Sequence, residues 1–215
     1  MNFNDIARIP GTTLPWIELV PLQADQAATV HRWFDDEKVR PWLDLGGGRQ
    51  QLQVRELYLL LTGSRSFTRL LRLPGSTEPL GLVCLGDVSN QMGSADIWGV
   101  RGCFAQSPGN VSVASFLLML ANGFVDLGRE VIGSWVVEGN QFSIAMHQRL
   151  GMRETGRQRA RHLSGGQRRD RLLFDITRAE FAERFGAVRA ESGRCLDDLR
   201  SEAAATPSQE EPCHV

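Results

Sequence analysis

The sequence predicts an α/β (α+β) domain built on a mixed, mostly antiparallel sheet, and two observations support this. Three short apolar runs, at 67–73, 80–86 and 94–101, alternate with turn-forming clusters, as the strands of an antiparallel meander do. Further on, a β-branched run at 131–137 ends at Gly139, and a helical pattern begins at once. A strand that opens directly into a helix is a junction where cofactor chemistry often occurs.

The first part of the chain predicts one strand and two helices. Residues 16–22 have a strand pattern, and 24–34 and 51–61 are helical. Between the helices, residues 35–48 form a loop with three consecutive glycines, which is either a flexible connector or part of a binding site. The loop residues singled out are Asp36, Trp42 and Asp44.

The helix after residue 139 carries a row of polar side chains. It follows a long apolar helix from Val111, and it begins at Asn140, a good N-cap, and ends at Gly151. Asn140, Ser143 and His147 are three and four residues apart, so they share one face beside the strand end.

Two final strands, at 153–162 and 170–176, flank a Ser-Gly-Gly-Gln hairpin turn. Arginine occupies every odd position from 153 to 161 except 155, so a regular strand would place Arg161 and the others in one row. The row is either a solvated face or a surface that attracts a negatively charged ligand or partner.

Composition predicts one domain, residues 1–185, followed by a polar, disordered or loosely helical tail, residues 186–215. A formal net charge of −1 gives no general attraction to nucleic acid. No apolar run reaches the roughly 20 residues that cross a bilayer, and no signal pattern begins the chain. The four cysteines lack metal-type spacing. We expect a cytoplasmic protein without a metal or a membrane partner, either monomer or homodimer.

The helix after residue 139 resembles that of the GNAT superfamily of CoA-dependent N-acyltransferases, which reads roughly N-x-x-A/S-x-x-x-Y-x-x-L-G-F. Five of the six positions are matched or conservatively replaced, and the tyrosine position is a histidine. The six residues are Asn140, Ser143, His147, Leu150, Gly151 and Met152. LVPL at 19–22 and TRAEF at 177–181 are similar to the RimJ/RimL-like branch, so the resemblance spans about residues 16–185.

The resemblance implies a seven-stranded sheet that is splayed between strands four and five, with acyl-CoA in the gap. It implies donor contacts with strand four around Trp98, Gly99 and Val100, and with Asn140 and Ser143 on the helix.

A pyrophosphate loop is implied before the long helix, where backbone N–H groups bind anions. Gln106 and Gly109 match the family's Q/R-x-x-G-x-G/A pattern, whereas Val111 stands where little or no side chain is expected. An alignment without a gap places Pro108 and Asn110 on the glycine positions instead.

The resemblance also implies candidates for acid–base catalysis. Asp96, where the RimL-like pattern has A-E-I-G, is the candidate base, and Glu138 is its rival. The alternative for Asp96 is a solvated strand residue. A strand-four N–H near Gly99 would meet the oxyanion. Ser143 or His147 would assist the departing thiolate, although a lone histidine on such a helix is often only a surface or core-edge residue.

The implied activity is direct transfer of an acetyl group from acetyl-CoA, or another acyl-CoA, to a primary amine of a protein N-terminus or a small molecule. Two alternatives stay open: a longer acyl-CoA or acyl carrier protein as donor, and a GNAT-like module that binds without catalysis. The implied substrate contacts are Asp36, Trp42, Asp44 and Arg161.

Overall fold

The computed structural model describes residues 7–44, 51–102 and 110–205, and its seven strands form one sheet in the order β1-β2-β3-β4-β5-β7-β6. The strands are β1 (Glu18–Pro21), β2 (Phe67–Arg72), β3 (Pro79–Ser89), β4 (Ser94–Arg101), β5 (Val131–Val137), β6 (Arg153–Ser164) and β7 (Gln167–Thr177). The helices are α1 (Ala27–Asp35), α2 (Val54–Thr62), α3 (Val111–Ala121), α4 (Gln141–Arg149), α5 (Arg178–Phe185) and α6 (Leu196–Ala205).

The sheet is antiparallel at every neighbouring pair except β4 and β5, which are parallel. These two strands pair only through residues 94–96 and 131–133. Beyond Asp96 and Gly133 they separate, which opens a gap in the middle of the sheet. The predicted fold class, a mixed seven-stranded sheet splayed between strands four and five, is confirmed.

Apolar clusters cover both faces of the sheet. One contains α3, which buries ten of its eleven residues, as expected of a helix that is apolar on all sides. The other packs α1 and α2 on the opposite face through side chains such as Val30, Trp33 and Leu57. Among residues 7–44, 51–102 and 110–205, no helix is long and apolar enough to span a bilayer.

The strand-to-helix junction after β5 forms as its sequence predicts. The Asn140 side chain accepts a hydrogen bond from the Ser143 N–H at 3.2 Å, which caps α4. Gly151, with φ of +82°, ends the helix in a conformation that glycine adopts without strain. The β6–β7 hairpin turn is also confirmed, with Gly165 and Gly166 at its tip.

The predicted single row of arginines on β6 is wrong, because two irregularities interrupt the strand. The register against β7 shifts between 154 and 156 and again between 158 and 162. Arg153 is therefore opposite Asp175, whereas Arg157 is opposite Leu172. Residues three apart on β7 face opposite sides of the sheet, so these two arginines do as well.

The C-terminal segment packs on the domain between Val188 and Leu196, and α6 follows, where the sequence predicted a disordered or loosely helical tail. Its sparse apolar side chains, Val188, Ala190 and Leu196, are buried in the cluster around α3. Glu191 accepts hydrogen bonds from Asn122, in the π-helical turn after α3, and from Arg69 on β2. Residues 206–215 lie outside the described part of the chain.

Two cysteines in the described ranges, Cys84 and Cys195, are free and buried, in line with the expected structural thiols. Burial raises the pKa of the Cys84 thiol to about 11, so it is protonated at neutral pH. Cys103 and Cys213 lie outside these ranges.

Candidate active site

Two cavities meet at the gap between β4 and β5. The first encloses about 420 Å³ beside the end of β4 and the first turns of α3 and α4. The second encloses about 560 Å³ toward the start of β4, beside the end of α2. The two cavities adjoin each other at the gap, because five residues line both. They are Leu43, Trp98, Gly99, Ser134 and Trp135.

The far half of β4 presents main-chain groups to the gap. The Ile97 carbonyl lies 2.9 Å from the Ser134 hydroxyl of β5, so the backbone of Ile97 points into the gap. Backbone direction alternates along a strand, and Gly99 therefore points the same way. A side chain at Gly99 would come within 2.9 Å of the Phe116 ring, so glycine allows α3 to pack closely here. The open edge offers hydrogen-bonding groups to an extended ligand.

Asp96 is the last residue of β4 that pairs with β5, and it lies on the wall of the second cavity. Its pKa is raised above the ordinary value, first because the surroundings desolvate the carboxylate and then because Asp87 adds a second negative charge. The side chain is still reached by solvent. A carboxylate in this state is a better proton acceptor than an ordinary aspartate.

The imidazole of His147 is buried, with 2% of the residue exposed, although it lines the first cavity. It packs against the rings of Phe116 and Phe174. Its Nδ1 lies 2.7 Å from the Ser143 carbonyl, and its Nε2 lies 2.8 Å from the Ser134 hydroxyl. Burial lowers the pKa of His147 below 6.5, so the ring is neutral at pH 7.

The predicted row of Asn140, Ser143 and His147 lies along the wall of the first cavity. The side-chain oxygen of Asn140 is engaged in capping α4. Both ring nitrogens of His147 face protein atoms. Ser143 is thus the better placed of the two candidates to contact a ligand directly.

The N-terminus of α3 also borders the first cavity, through Ser112 and Ser115. Val111 is the first helical residue and its side chain is buried in the core, so a valine at this position does not obstruct the cavity. Asn110 has a left-handed backbone, with φ of 69°, and its side-chain oxygen accepts a hydrogen bond from Arg149 at 2.7 Å. Gln106 and Gly109, proposed for the phosphate loop, lie outside the described residues.

Three other candidates are not among the residues that line the two cavities. Glu138 is paired with Arg157 at 2.9 Å, which favours Asp96 over it as the base. The Asp36 carboxylate accepts a hydrogen bond from the Lys38 N–H, as in a local turn. Arg161 is exposed within the second irregularity of β6.

The loop after α1 contributes Trp42 to the first cavity and Asp44 to the second. Two contacts fix it on the β6–β7 hairpin. Arg171, which is 7% exposed, forms an ion pair with Asp44, and its guanidinium stacks 3.9 Å from the centre of the Trp135 ring. The ring Nε2 of His162 lies 2.8 Å from the Pro41 carbonyl.

The sequence analysis missed several cavity residues. Ser134 is a polar residue inside an apolar strand, which is a recognisable signal, because buried hydroxyls need partners. Nothing in the neighbouring sequence distinguishes the aromatic residues that line the cavity from ordinary core residues. The missed residues include Phe116, Ser134, Trp135 and Phe142.

No known family model matches the sequence, and no curated protein matches it. Solved structures do match. RimJ from Mycobacterium smegmatis in complex with CoA-disulfide superposes with a TM-score of 0.67 at 24% identity, over 80% of this chain and 88% of that one. A probable GNAT-family acetyltransferase from Chromobacterium violaceum gives a TM-score of 0.63 at 19% identity, over 82% and 91%.

The chain has the GNAT fold. A third structure agrees: spermidine N-acetyltransferase from Vibrio cholerae in complex with CoA and spermine gives a TM-score of 0.68 at 15% identity, over 77% of this chain and 97% of that one. At these identities the likeness establishes the fold, and the site must be argued from this chain's own residues. Among the described residues of this GNAT fold, no group of three or more His, Cys, Asp or Glu side chains is arranged to hold a metal ion.

Proposed function

We propose that the protein is an N-acetyltransferase that moves an acetyl group from acetyl-CoA directly to a primary amine. One observation carries the proposal: a cavity bordered by an open main-chain edge and a helix N-terminus meets a second cavity lined by a carboxylate of raised pKa. Direct transfer needs two ligands that reach each other, and adjoining cavities with a shared wall of five residues support this.

The first cavity suits the donor. The β4 edge at Ile97 and Gly99 offers an acceptor and a donor to the amide groups of a pantetheine arm. The N–H groups in the first turn of α3, from Val111 onward, have no acceptor within the helix, and such groups favour phosphate oxygens. The RimJ and spermidine N-acetyltransferase structures contain CoA-type ligands, which supports assigning the same class of donor here.

The second cavity suits a cationic acceptor. Asp44, Asp87 and Asp96 line it, and Trp98 and Trp135 add aromatic surface. Arg171 pairs with Asp44, and Arg65, which also lines the cavity, pairs with Asp87 at 3.5 Å. Among the described residues Asp96 has no ion-pair partner, so its carboxylate provides the attraction for a cation. Negative carboxylates attract an ammonium group, and aromatic faces stabilise it. The acceptor is thus an amine in its cationic resting form, on a protein N-terminus or a small polyamine.

In the proposed reaction Asp96 accepts a proton from the ammonium, directly or through water. The free amine attacks the thioester carbonyl, and the Gly99 N–H stabilises the oxyanion. The C–S bond then breaks, and the Ser143 hydroxyl donates a hydrogen bond to the thiolate. As the intermediate collapses to the neutral amide, the second amine proton passes to the thiolate, directly or through water.

The test measures acetyl-CoA binding by calorimetry and thiol release with two amine sets, peptides with free N-termini and polyamines. We expect binding and amine-dependent thiol release that Asp96→Asn nearly abolishes. Binding without thiol release from any amine would support a binding module instead. A series of longer acyl-CoA donors would show whether acetyl is preferred, and no binding of any acyl-CoA would reject the proposal.

A further inference from the structure

A chain of three polar contacts crosses the gap where β4 and β5 begin to separate. It runs from the Ile97 carbonyl to the Ser134 hydroxyl at 2.9 Å, and from there to the Nε2 of His147 at 2.8 Å. The other ring nitrogen lies 2.7 Å from the Ser143 carbonyl. Ser134 directly follows Gly133, the last residue of β5 that pairs with β4, and it lines both cavities.

The number of protons in this chain decides which contacts are hydrogen bonds. Both ends are carbonyls, which only accept, so three contacts need three protons. The Ser134 hydroxyl supplies one, and a neutral imidazole supplies one. Only the protonated imidazole of His147 satisfies all three contacts, and with a neutral ring one contact has no proton.

The location of the missing proton follows from the two neutral tautomers. If Nε2 carried the proton, the bare Nδ1 would face the Ser143 carbonyl at 2.7 Å, and two buried acceptors would repel each other. If Nδ1 carries it, Ser134 donates to Nε2, and the Ile97 carbonyl loses its donor. That carbonyl faces the gap, where a ligand can supply a replacement, so this is the favoured arrangement.

The neutral ring is the form expected at pH 7. Among the described residues, the side chains in ring or hydrogen-bond contact with His147 are Phe116 of α3, Phe174 of β7 and Ser134 of β5, and all three are uncharged. The charged side chains that line the same cavity are Lys38 and Arg101, both basic. Burial lowers the pKa of His147, with partial opposition from the Ser143 carbonyl.

We propose that Ser134 is a positioning residue of the donor site whose hydroxyl responds to the protonation of His147. With a neutral ring the hydroxyl turns to Nε2 and leaves the Ile97 carbonyl free to accept from an amide N–H of an acyl-pantetheine ligand. With a protonated ring the hydroxyl donates to Ile97 and occupies that acceptor. The inference rests on the proposed function, because it assigns the ligand of the first cavity.

The first measurement needs no ligand. Nitrogen-15 NMR of the full-length protein, with labelled histidine, reports the tautomer of His147. We expect the proton on Nδ1 at pH 7. A ring with its proton on Nε2, or a doubly protonated ring at that pH, would overturn the inference.

The second measurement follows the dissociation constant of acetyl-CoA by calorimetry, from about pH 7.5 down to the pH at which the NMR titration shows that His147 is protonated. When His147 becomes protonated, the wild-type protein loses the hydrogen bond between the Ile97 carbonyl and the ligand, whereas Ser134→Ala keeps this carbonyl free at every pH. We therefore expect wild-type affinity to weaken roughly three- to tenfold more than that of Ser134→Ala as the pH falls. Ionisation of the ligand itself affects all variants equally. Ser115→Ala is the matched control: its hydroxyl donates to the Ser112 carbonyl in the same cavity region and should keep the wild-type pH profile.

The outcomes separate the two proposals. Acetyl-CoA binding with the same pH dependence in wild type and Ser134→Ala would overturn the role of Ser134 and leave the acetyltransferase proposal intact. Absence of acetyl-CoA binding at every pH would reject the donor assignment, and the role of Ser134 with it, whichever tautomer NMR finds.

Discussion

The carboxylate of Asp96 lies directly over the α-carbon of Gly133 across the β4–β5 pair. A methyl group on Gly133 would come within 2.6 Å of Asp96 Oδ1. These two residues form the last register pair before the strands separate. A glycine here therefore lets the carboxylate lie against the sheet at the beginning of the gap.

We expect Gly133→Ala to displace the Asp96 carboxylate without unfolding the protein, because the clashing atom is at the end of a side chain that can rotate. A displacement of about 1 Å predicts a fall in kcat/KM of roughly 10²-fold. Steady-state kinetics and thermal melting would measure the two effects. Gly156→Ala is the control, because its added methyl would find only Leu173 Cδ1, at 3.7 Å. Equal kinetics in both variants would remove the positioning role of Gly133.

Asp96→Asn removes the proposed base, and we expect kcat/KM to fall by roughly 10²- to 10⁴-fold. The kcat/KM of the wild-type enzyme should fall at acidic pH as Asp96 is protonated. Because the pKa of Asp96 is raised, this fall should begin at a higher pH than an ordinary aspartate would give. Asp87→Asn removes the second cause of the raised pKa and should move this acid limb to lower pH. An acid limb that stays in place in Asp87→Asn would contradict the assignment.

The raised pKa of Asp96 also predicts an effect on stability. The folded state binds the proton more readily than the unfolded state, so stability falls as pH rises through the window between the ordinary and the raised pKa, and the cost persists above it. At pH 7 Asp96→Asn should thus be at least as stable as wild type in urea unfolding. A clear loss of stability would show that the carboxylate supports the fold.

Arg171→Ala should loosen the loop that carries Trp42 and Asp44, because it removes both the ion pair and the contact with Trp135. The arginine is buried but its partner is partly exposed, so we expect a loss of about 2 kcal/mol in the free energy of unfolding. The KM of the amine acceptor should rise more than kcat falls. Arg168→Ala, an exposed arginine on the same strand, is the control. Unchanged stability and an unchanged acceptor KM would show that the loop does not depend on this contact.

Leu196→Ala tests the packing of the C-terminal segment. This side chain is 2% exposed in the core cluster, so its truncation should cost about 2–5 kcal/mol. Chemical denaturation would measure the loss, with the exposed Leu163→Ala as the matched control. If both variants unfold at the same denaturant concentration, the segment does not contribute to the core.

Features set by neighbouring residues were predictable from the sequence, whereas those set by distant residues were not. The junction around Asn140 was predicted because its cap, its helix period and its terminal Gly151 are local signals. The β6 irregularities depend on pairing with β7, which sequence spacing does not encode. The packing of the C-terminal segment was not predictable, because a few isolated apolar residues such as Val188 form no periodic pattern in the sequence.

The sequence predicted which residue types belong to the candidate site better than it predicted the partners that those residues contact. Asp96 and Ser143 were singled out by resemblance and lie beside the cavities, but the partners of His147 come from β5 and from its own helix backbone. The contact between Arg171 and Asp44 joins residues 127 apart in sequence, and such a pairing exists only once the sheet has formed.

The contacts of Glu191 have a consequence for how the molecule can be cut or labelled. One residue joins the end of α3 to β2, through Asn122 and Arg69, while the opposite end of α3 borders the first cavity. A protease that nicks the neighbouring turn, or a bulky dye attached there, would release the distal anchor of that helix. Fluorophores intended as silent reporters therefore belong at exposed positions away from Glu191.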